Sequence, residues 1–330
     1  MIIISVGKDK DYHTLGEALQ AVPYSEKAII KVDAGEYREK IFFEKSDITI
    51  EGEGCDKTVI IWSDGAKDIL EDGSRRGTFR SYTMFAGGKM VTLKNLAVKN
   101  DAGGYKKAGQ AISVYSDADY VLMENVLMDS CQDTLFMSPL PESVRQPGGF
   151  FGPRHLWKRK PTVQYFKNCR ISGDVDFIFG GADAVFEECI ITVKNRNEDI
   201  NGYISAPGEN PGDIGIVFER CKIRGEEGIR KESVFLGRPW RPTGKTSYIS
   251  CSFDESIDRR RFSEWGDPDA GESEACFAEY GSVDINGKPL KLSGRNAFVK
   301  ILDGDEAEEL LLRIGSIKNE VYSHINKTVV

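Results

Sequence analysis

Tyr165-Phe166-Lys167-Asn168-Cys169-Arg170-Ile171 has a near-copy at Val185-Phe186-Glu187-Glu188-Cys189-Ile190 and another at Val217-Phe218-Glu219-Arg220-Cys221-Lys222-Ile223. Looser versions flank them, at Leu93-Lys94-Asn95-Leu96-Ala97-Val98, Leu122-Met123-Glu124-Asn125-Val126-Leu127 and Tyr248-Ile249-Ser250-Cys251-Ser252-Phe253. Each phrase is β-rich, with a polar residue, then a small or apolar one, then another strand residue, so each reads as strand. Aligning Asn95, Asn125, Asn168, Glu188, Arg220 and Ser250 leaves gaps of 30, 43, 20, 32 and 30 residues. A shortest period of 20 with variable excess is what stacked coils with unequal loops produce. The expected fold is all-β, a parallel β-helix in which every coil buries its inward face on its neighbours and hydrogen-bonds along the axis. The residues after the anchors are Leu96, Val126, Cys169, Cys189, Cys221 and Cys251, so stacking predicts one interior column.

A solenoid exposes its ends, and exposed sheet ends need covers. Thr14 to Val22 offers one, with Thr14 and Glu17 spaced as a capping box and Leu15, Ala18, Leu19 and Val22 on one helical face. Pro23 helps to stop that helix. Asp305 to Ile314 reads as a second short helix, with Ala307, Leu310, Leu311 and Ile314 on one face. No linker interrupts the pattern, so residues 1–330 are expected to form one domain. Pro139 to Pro161, rich in Gly, Pro and aromatic residues, is the longest irregular insert.

The formal net charge of −8 argues against a nucleic-acid partner, which calls for a basic stripe. No apolar run approaches the length of a membrane span. Met1-Ile2-Ile3-Ile4-Ser5 lacks the charged segment and long apolar run of a signal peptide. The chain as given is therefore expected to be cytoplasmic; removal of a leader would leave the same sequence from a secreted protein. Seven cysteines without a C-x-x-C spacing predict neither a zinc site nor a disulfide framework, and free buried thiols are expected. With three histidines and no G-x-S-x-G, serine-esterase chemistry is disfavoured.

The chemistry-bearing stretch is Ile171 to Gly181, I-S-G-D-V-D-F-I-F-G-G. It sets Asp176 beside an apolar aromatic run. That is either a turn aspartate ending a strand or a carboxyl whose pKa burial can move. The repeat phase bears on the choice. Asp133 lies eight residues after Asn125, and Asp176 lies eight after Asn168, so both fall on the same corner of successive coils. Neighbouring strands lie about 4.8 Å apart. Two carboxyls that close do not both ionise cheaply, which leaves one acid facing one base or nucleophile. Gln110 and Gln132 are candidate donors to a developing oxyanion, Arg238 is a candidate bidentate partner for a carboxylate, and Trp240 offers a flat face for a sugar ring. Taken singly, these four also read as turn glutamines, a solvated arginine and a core tryptophan.

Five blocks then occur in order: Gly35-Glu36-Tyr37-Arg38-Glu39, Gln110-Ala111, Gln132-Asp133-Thr134-Leu135, Asp176-Phe177-Ile178-Phe179-Gly180 and Leu236-Gly237-Arg238-Pro239-Trp240. Together they resemble the signature blocks of the pectin methylesterase (pectinesterase) family, from about Ile4 to Gly281. The resemblance implies a single-stranded right-handed parallel β-helix and hydrolysis of the C6 methyl esters of polygalacturonate, with no metal or cofactor. It implies Asp176 as nucleophile, Asp133 as general acid and then base, Gln132 with Gln110 as oxyanion donors, and Arg238 as the partner that keeps Asp176 charged. Trp240 is implied to line the sugar cleft, and Phe136, which follows the Q-D-T-L block, is expected there too. The implied partner is methylated pectin or oligogalacturonide, acted on by a monomer.

The chain departs from the family pattern in two places. The Pro139–Pro161 insert is more like bacterial members; its basic run Arg154 to Lys160 is either a solvated loop or a contact for demethylated galacturonate. Arg261-Phe262-Ser263-Glu264-Trp265 replaces the usual Gly-Trp before a second Trp, which bears on subsites. Two other readings share the architecture. A polygalacturonase calls for N-T-D and G-H-G blocks, and neither occurs. A pectate lyase calls for an acidic calcium cluster, and none is placed near Arg238. A non-catalytic galacturonan-binding solenoid has no need of a carboxylate pair. A cytoplasmic enzyme is expected to meet short imported oligomers rather than wall polymer.

Overall fold

The computed structural model describes residues 1–209, 212–266 and 274–329. Within it the expected repeat is the repeat observed. Strand Tyr120–Asp129 pairs in parallel with Met90–Asn100 on one side and with Val163–Lys167 and Arg170–Gly173 on the other. The register continues as Tyr165↔Val185, Val185↔Val217 and Val217↔Ser247, coil after coil. A second wall is a sheet of seven short strands that includes Val114–Ser116, Leu135–Met137, Val175–Gly180, Gly202–Pro207 and Val234–Gly237. The chain is thus a parallel β-helix.

The polar anchors are the bends of this helix. Asn95, Asn125, Asn168, Glu188, Arg220 and Ser250 have φ of 53°, 54°, 52°, 54°, 52° and 52°. That left-handed backbone costs an L-residue about 1–2 kcal/mol, and the ladders on both sides of each bend hold it in place. Asn125 Nδ2 also donates to Asn95 Oδ1 at 2.8 Å, one coil to the next. Each bend turns the following residue inward, so Leu96, Val126 and the four cysteines form a column no more than 1% exposed. Every thiol in it points at a carbonyl of the preceding coil: Cys169 to Met123, Cys189 to Phe166, Cys221 to Phe186 and Cys251 to Phe218. Beside the column Phe166, Phe186, Phe218 and Tyr248 stack with ring centroids 4.3, 4.9 and 4.5 Å apart.

Helix α1, Leu15–Ala21, covers the N-terminal end with the expected capping box of Thr14 and Glu17. Helix α2 differs from expectation. It runs from Gly304 to Val329 rather than stopping near Ile314. Its start is a capping box, Glu306 N donating to Asp303 Oδ1 at 2.9 Å and Asp303 N to Glu306 Oε2 at 3.1 Å. Its apolar stripe continues through Ile314, Ile317 and Val321 across Gly315, and lies on outward-facing Leu122, Tyr165, Val185, Val217 and Ile249 of the sheet. Tertiary packing carries the helix past a residue of poor propensity. Lys318 ties it down by bonding Glu219 Oε2 at 2.6 Å and Glu187 Oε2 at 3.1 Å. Leu311, expected on the buried face, is 38% exposed.

Candidate active site

The site is built where the seven-stranded wall meets its loops. Leu135 pairs with Ile178 and Phe136 with Phe179, so Asp133 and Asp176 each stand two residues before matched positions on adjacent coils. Both are corner residues with left-handed backbone, φ 64° and 51°, and Asp133 N donates to Val175 O at 3.1 Å. The eight-residue offset read from the sequence therefore places the two carboxyls on one edge of the helix. The corner is held from behind. Ser130 Oγ donates to Ala111 O at 2.6 Å, and Thr134 Oγ1 donates to Ser172 O at 2.9 Å. Close approach of coils also fixes two glycines. A Cβ at Gly180 would strike the Met137 carbonyl oxygen, and one at Gly237 would strike Ser205 Oγ.

Arg238 follows strand Val234–Gly237, and its own N donates to Ser205 O at 3.0 Å. Its Nε donates to Asp176 Oδ1 at 2.9 Å and its Nη2 to Asp176 Oδ2 at 2.7 Å, the bidentate geometry that fits a carboxylate. The guanidinium lies between two rings, 4.0 Å from the Tyr203 centroid and 4.4 Å from that of Trp265. Asp133 and Asp176 are 8% and 6% exposed. Burial pushes the Asp133 carboxyl well above the usual carboxylate range, and the charges of Asp176 and Asp174 push it further, against Arg238 and the Gln132 amide. Burial raises Asp176 as well, but there the Arg238 hydrogen bonds and charge oppose it. Of the two, Asp133 is the one whose acid form its surroundings favour more, since both oxygens of Asp176 face the Arg238 guanidinium.

Gln132, beside Asp133, and Gln110, on the preceding coil, are themselves in register as a parallel bridge, with Ala111 N donating to Gln132 O at 3.0 Å. Both border the cleft that holds the dyad, together with Arg238 and Trp240. This cleft has a volume of about 690 Å³ and is walled by Phe79, Phe150, Phe179, Trp240 and Trp265. Trp240 packs edge-on against Phe179 at 5.6 Å and leaves part of its surface to the cleft. None of the three histidines borders it.

One expectation needs correction. Phe136 does not line the cleft. It is fully buried beneath Phe79 and Phe179, at 5.0 Å from each ring, because its strand points it into the layer under the floor. Of the two readings of the basic run, the structure supports neither a fully solvated loop nor a substrate contact for Arg154, Arg159 and Lys160, which are engaged within the protein. Arg154 pairs with Glu44 and Asp117, Lys160 pairs with Asp119, and Arg159 donates to the carbonyls of Arg154, His155, Trp157 and Pro141. These contacts fasten the insert, whose earlier part, Val144 to Phe150, supplies the cleft wall.

Several site residues carried no signal in the sequence. Thr78 and Phe79 arrive on a short 3-10 turn outside the repeat phase. Arg145, Phe150 and Arg241 come from irregular segments. Tyr203 was findable, since strand Gly202–Pro207 pairs it with Val175, the neighbour of Asp176. Asp174 is 4% exposed and shifted upward by burial, a third carboxyl beside the dyad.

A family model described as Pectinesterase matches residues 1–146 and 158–307. The chain is 31% identical over 279 residues to "Probable pectinesterase/pectinesterase inhibitor 64" of Arabidopsis thaliana, covering 78% of the chain but 42% of that longer relative. It is 30% identical to "Pectinesterase" of Petunia integrifolia, covering 82% of the chain and 67% of the relative. Among solved structures, pectin methylesterase from carrot superposes with a TM-score of 0.74 at 26% identity, over 92% of this chain and 88% of that one. Pectin methylesterase PemA from Erwinia chrysanthemi shares the fold, with a TM-score of 0.73 at 23% identity over 93% and 94%. Plant and bacterial proteins are both matched, so these similarities do not single out the bacterial type.

Proposed function

Since the chain belongs to the pectinesterase family, we propose that it hydrolyses the C6 methyl esters of polygalacturonate, in pectin or in methylated oligogalacturonides, and releases methanol. One observation carries the reading. Asp176 is gripped at both oxygens by Arg238 and stands in register with Asp133, a buried carboxyl that favours its protonated form. That is a nucleophile and an acid on one edge, open to a cleft with aromatic walls.

The steps follow from the placement. A carboxylate oxygen of Asp176 attacks the ester carbon, and the carbonyl electron pair moves onto its oxygen. Amide N–H groups of Gln132, assisted by Gln110, receive that charge. The tetrahedral intermediate collapses by breaking the bond to the methoxy oxygen, which takes the proton of Asp133 and leaves as methanol. What remains is an anhydride between Asp176 and the galacturonate. Asp133, now ionised, takes a proton from a water that attacks the galacturonyl carbon. Collapse frees the galacturonate and returns Asp176 as carboxylate and Asp133 as acid. One water is consumed, and one methanol and one galacturonic acid are formed. Trp240 supplies a face for the sugar ring.

The test is methanol release from methylated pectin by the wild type and by Asp176→Asn, with chain ends followed in parallel. Methanol from the wild type alone, with no new reducing or unsaturated ends, is expected. New reducing ends would indicate a polygalacturonase, new unsaturated ends a lyase, and binding without turnover a galacturonan-binding solenoid.

A further inference from the structure

Asp174 takes no part in those steps, yet it is a third carboxyl, 4% exposed, two residues before Asp176. Its peptide is pinned from both sides. Asp174 N donates to Cys131 O on the preceding coil at 3.0 Å, and Tyr203 N on the following coil donates to Asp174 O at 3.1 Å. Gly202 permits that second contact, since a Cβ there would strike the Asp174 carbonyl oxygen. The side chain closes the corner. Its Oδ1 accepts from Val175 N at 2.7 Å, and the Val175 carbonyl in turn accepts from Asp133 N at 3.1 Å. Asp174 thus holds the peptide through which Asp133 and Asp176 are set in register.

A carboxyl is more than this corner requires. An amide or hydroxyl oxygen would also accept from Val175 N, without the cost of burying a charge. The coils on either side bring Cys131 and Gly202 to the neighbouring positions, so the repeat does not ask for an acid there. What the acid adds is charge. Burial works against that charge, while the Val175 N–H, Arg196 and Lys194 favour it. Lys194 bonds Asp129 at 2.8 Å, and among the described residues no cation closes on Asp174 as Arg238 closes on Asp176. Asp133 is faced by the charges of Asp176, Asp174 and Arg238 and by the Gln132 amide. We infer that Asp174 is a positioning residue for the hydrolysis: its side chain locks the corner peptide between Asp133 and Asp176, and its negative charge favours the acid form of Asp133 that departure of methanol needs. The inference rests on the esterase reading for the reaction it serves, but not for the coupling of the two carboxyls.

The experiment follows kcat/KM for methanol release from methylated pectin across pH, for wild type, Asp174→Asn and Asp174→Ala. Asparagine keeps an acceptor for Val175 N and loses the charge. The alkaline limb, where Asp133 ionises, should then move to lower pH, and the acidic limb should stay. Alanine loses both, so its alkaline limb should move likewise and kcat should drop by about tenfold at every pH, the scale of one hydrogen bond to a charged group. An alkaline limb left in place by both variants, or a uniform drop in rate with both limbs fixed, would reduce Asp174 to a structural part and overturn the proposal. A second readout needs no turnover. The melting gap between Asp133→Asn and its parent is measured at neutral pH, once with Asp174 present and once in the Asp174→Asn background. The gap should be smaller in the second, because loss of a neighbouring like charge lets Asp133 ionise at lower cost. Equal gaps would overturn the coupling. Absence of methanol with unequal gaps would remove the esterase reading and leave the coupling standing, and absence of methanol with equal gaps would remove both.

Discussion

The β-helix uses the same local backbone at two corners and fills it with opposite chemistry. At the anchor corner, φ of 52° to 54° recurs at Asn95, Asn125, Asn168, Glu188, Arg220 and Ser250, and the next residue is swung into a thiol and aliphatic column. At the other corner, φ of 64° and 51° occurs at Asp133 and Asp176, and the bent residues themselves are the buried ones. One corner repeats and buries apolar surface, which favours folding. The other occurs where two coils meet and buries carboxyls, which opposes it. A left-handed bend is thus a device for aiming one side chain, and what it aims decides whether the position serves stability or chemistry.

Changes at the two corners should therefore move different observables. Asp176→Asn removes the carboxylate proposed as nucleophile and should lower methanol release by at least roughly 10⁴-fold, the scale of nucleophile loss in hydrolases, with the circular dichroism spectrum unchanged. At the other corner Phe218→Ala opens the stack between Phe186 and Tyr248. It should cost about 3–5 kcal/mol in a urea melt, while kcat of the protein that remains folded stays the same. Gln132→Ala, beside the dyad, should cost about 10²–10³ in kcat with little change in melting. The comparison would break if Phe218→Ala altered kcat more than Gln132→Ala did.

The carboxyl corner also makes a prediction about pH. Burial raises the Asp133 carboxyl in the folded state, so folding favours its protonated form. Stability from this group is then full below the unfolded-state pKa and is lost as pH rises through the folded value. Asp133→Asn should melt higher than wild type near neutral pH, and the gap should close as pH falls toward the ordinary carboxylate range. Activity should fall at high pH as Asp133 ionises. A variant that melts lower than wild type at neutral pH would mean that Asp133 is held as a charge. The smallest effect belongs to the column: Cys221→Val should change stability by less than about 1.5 kcal/mol and leave methanol release intact.

Much of this was legible because the repeat made sequence spacing equivalent to position. Counting from Asn125 and Asn168 put Asp133 and Asp176 on one edge before any pairing was known, and the thiol column followed from the residue after each anchor. What lay outside the repeat was not legible. Phe136 follows the signature block yet points under the floor, since strand alternation and not proximity in sequence decides which face a side chain takes. The charges of Arg154 and Lys160 left a solvated loop and a substrate contact both open, and their partners Asp117, Glu44 and Asp119 are distant in sequence. Helix α2 outran its expected end because the sheet beneath it is apolar on its outer face, and a helix-centred reading does not see that.

The thiol ladder has a use beyond packing. Cys169, Cys189, Cys221 and Cys251 sit on four consecutive coils, each shut away from solvent, with no disulfide to hide them. An alkylating reagent can reach each one only when its own coil opens. Mass-resolved labelling would therefore time the unravelling of this stack rung by rung. The native sequence thereby carries a reporter of which end lets go first.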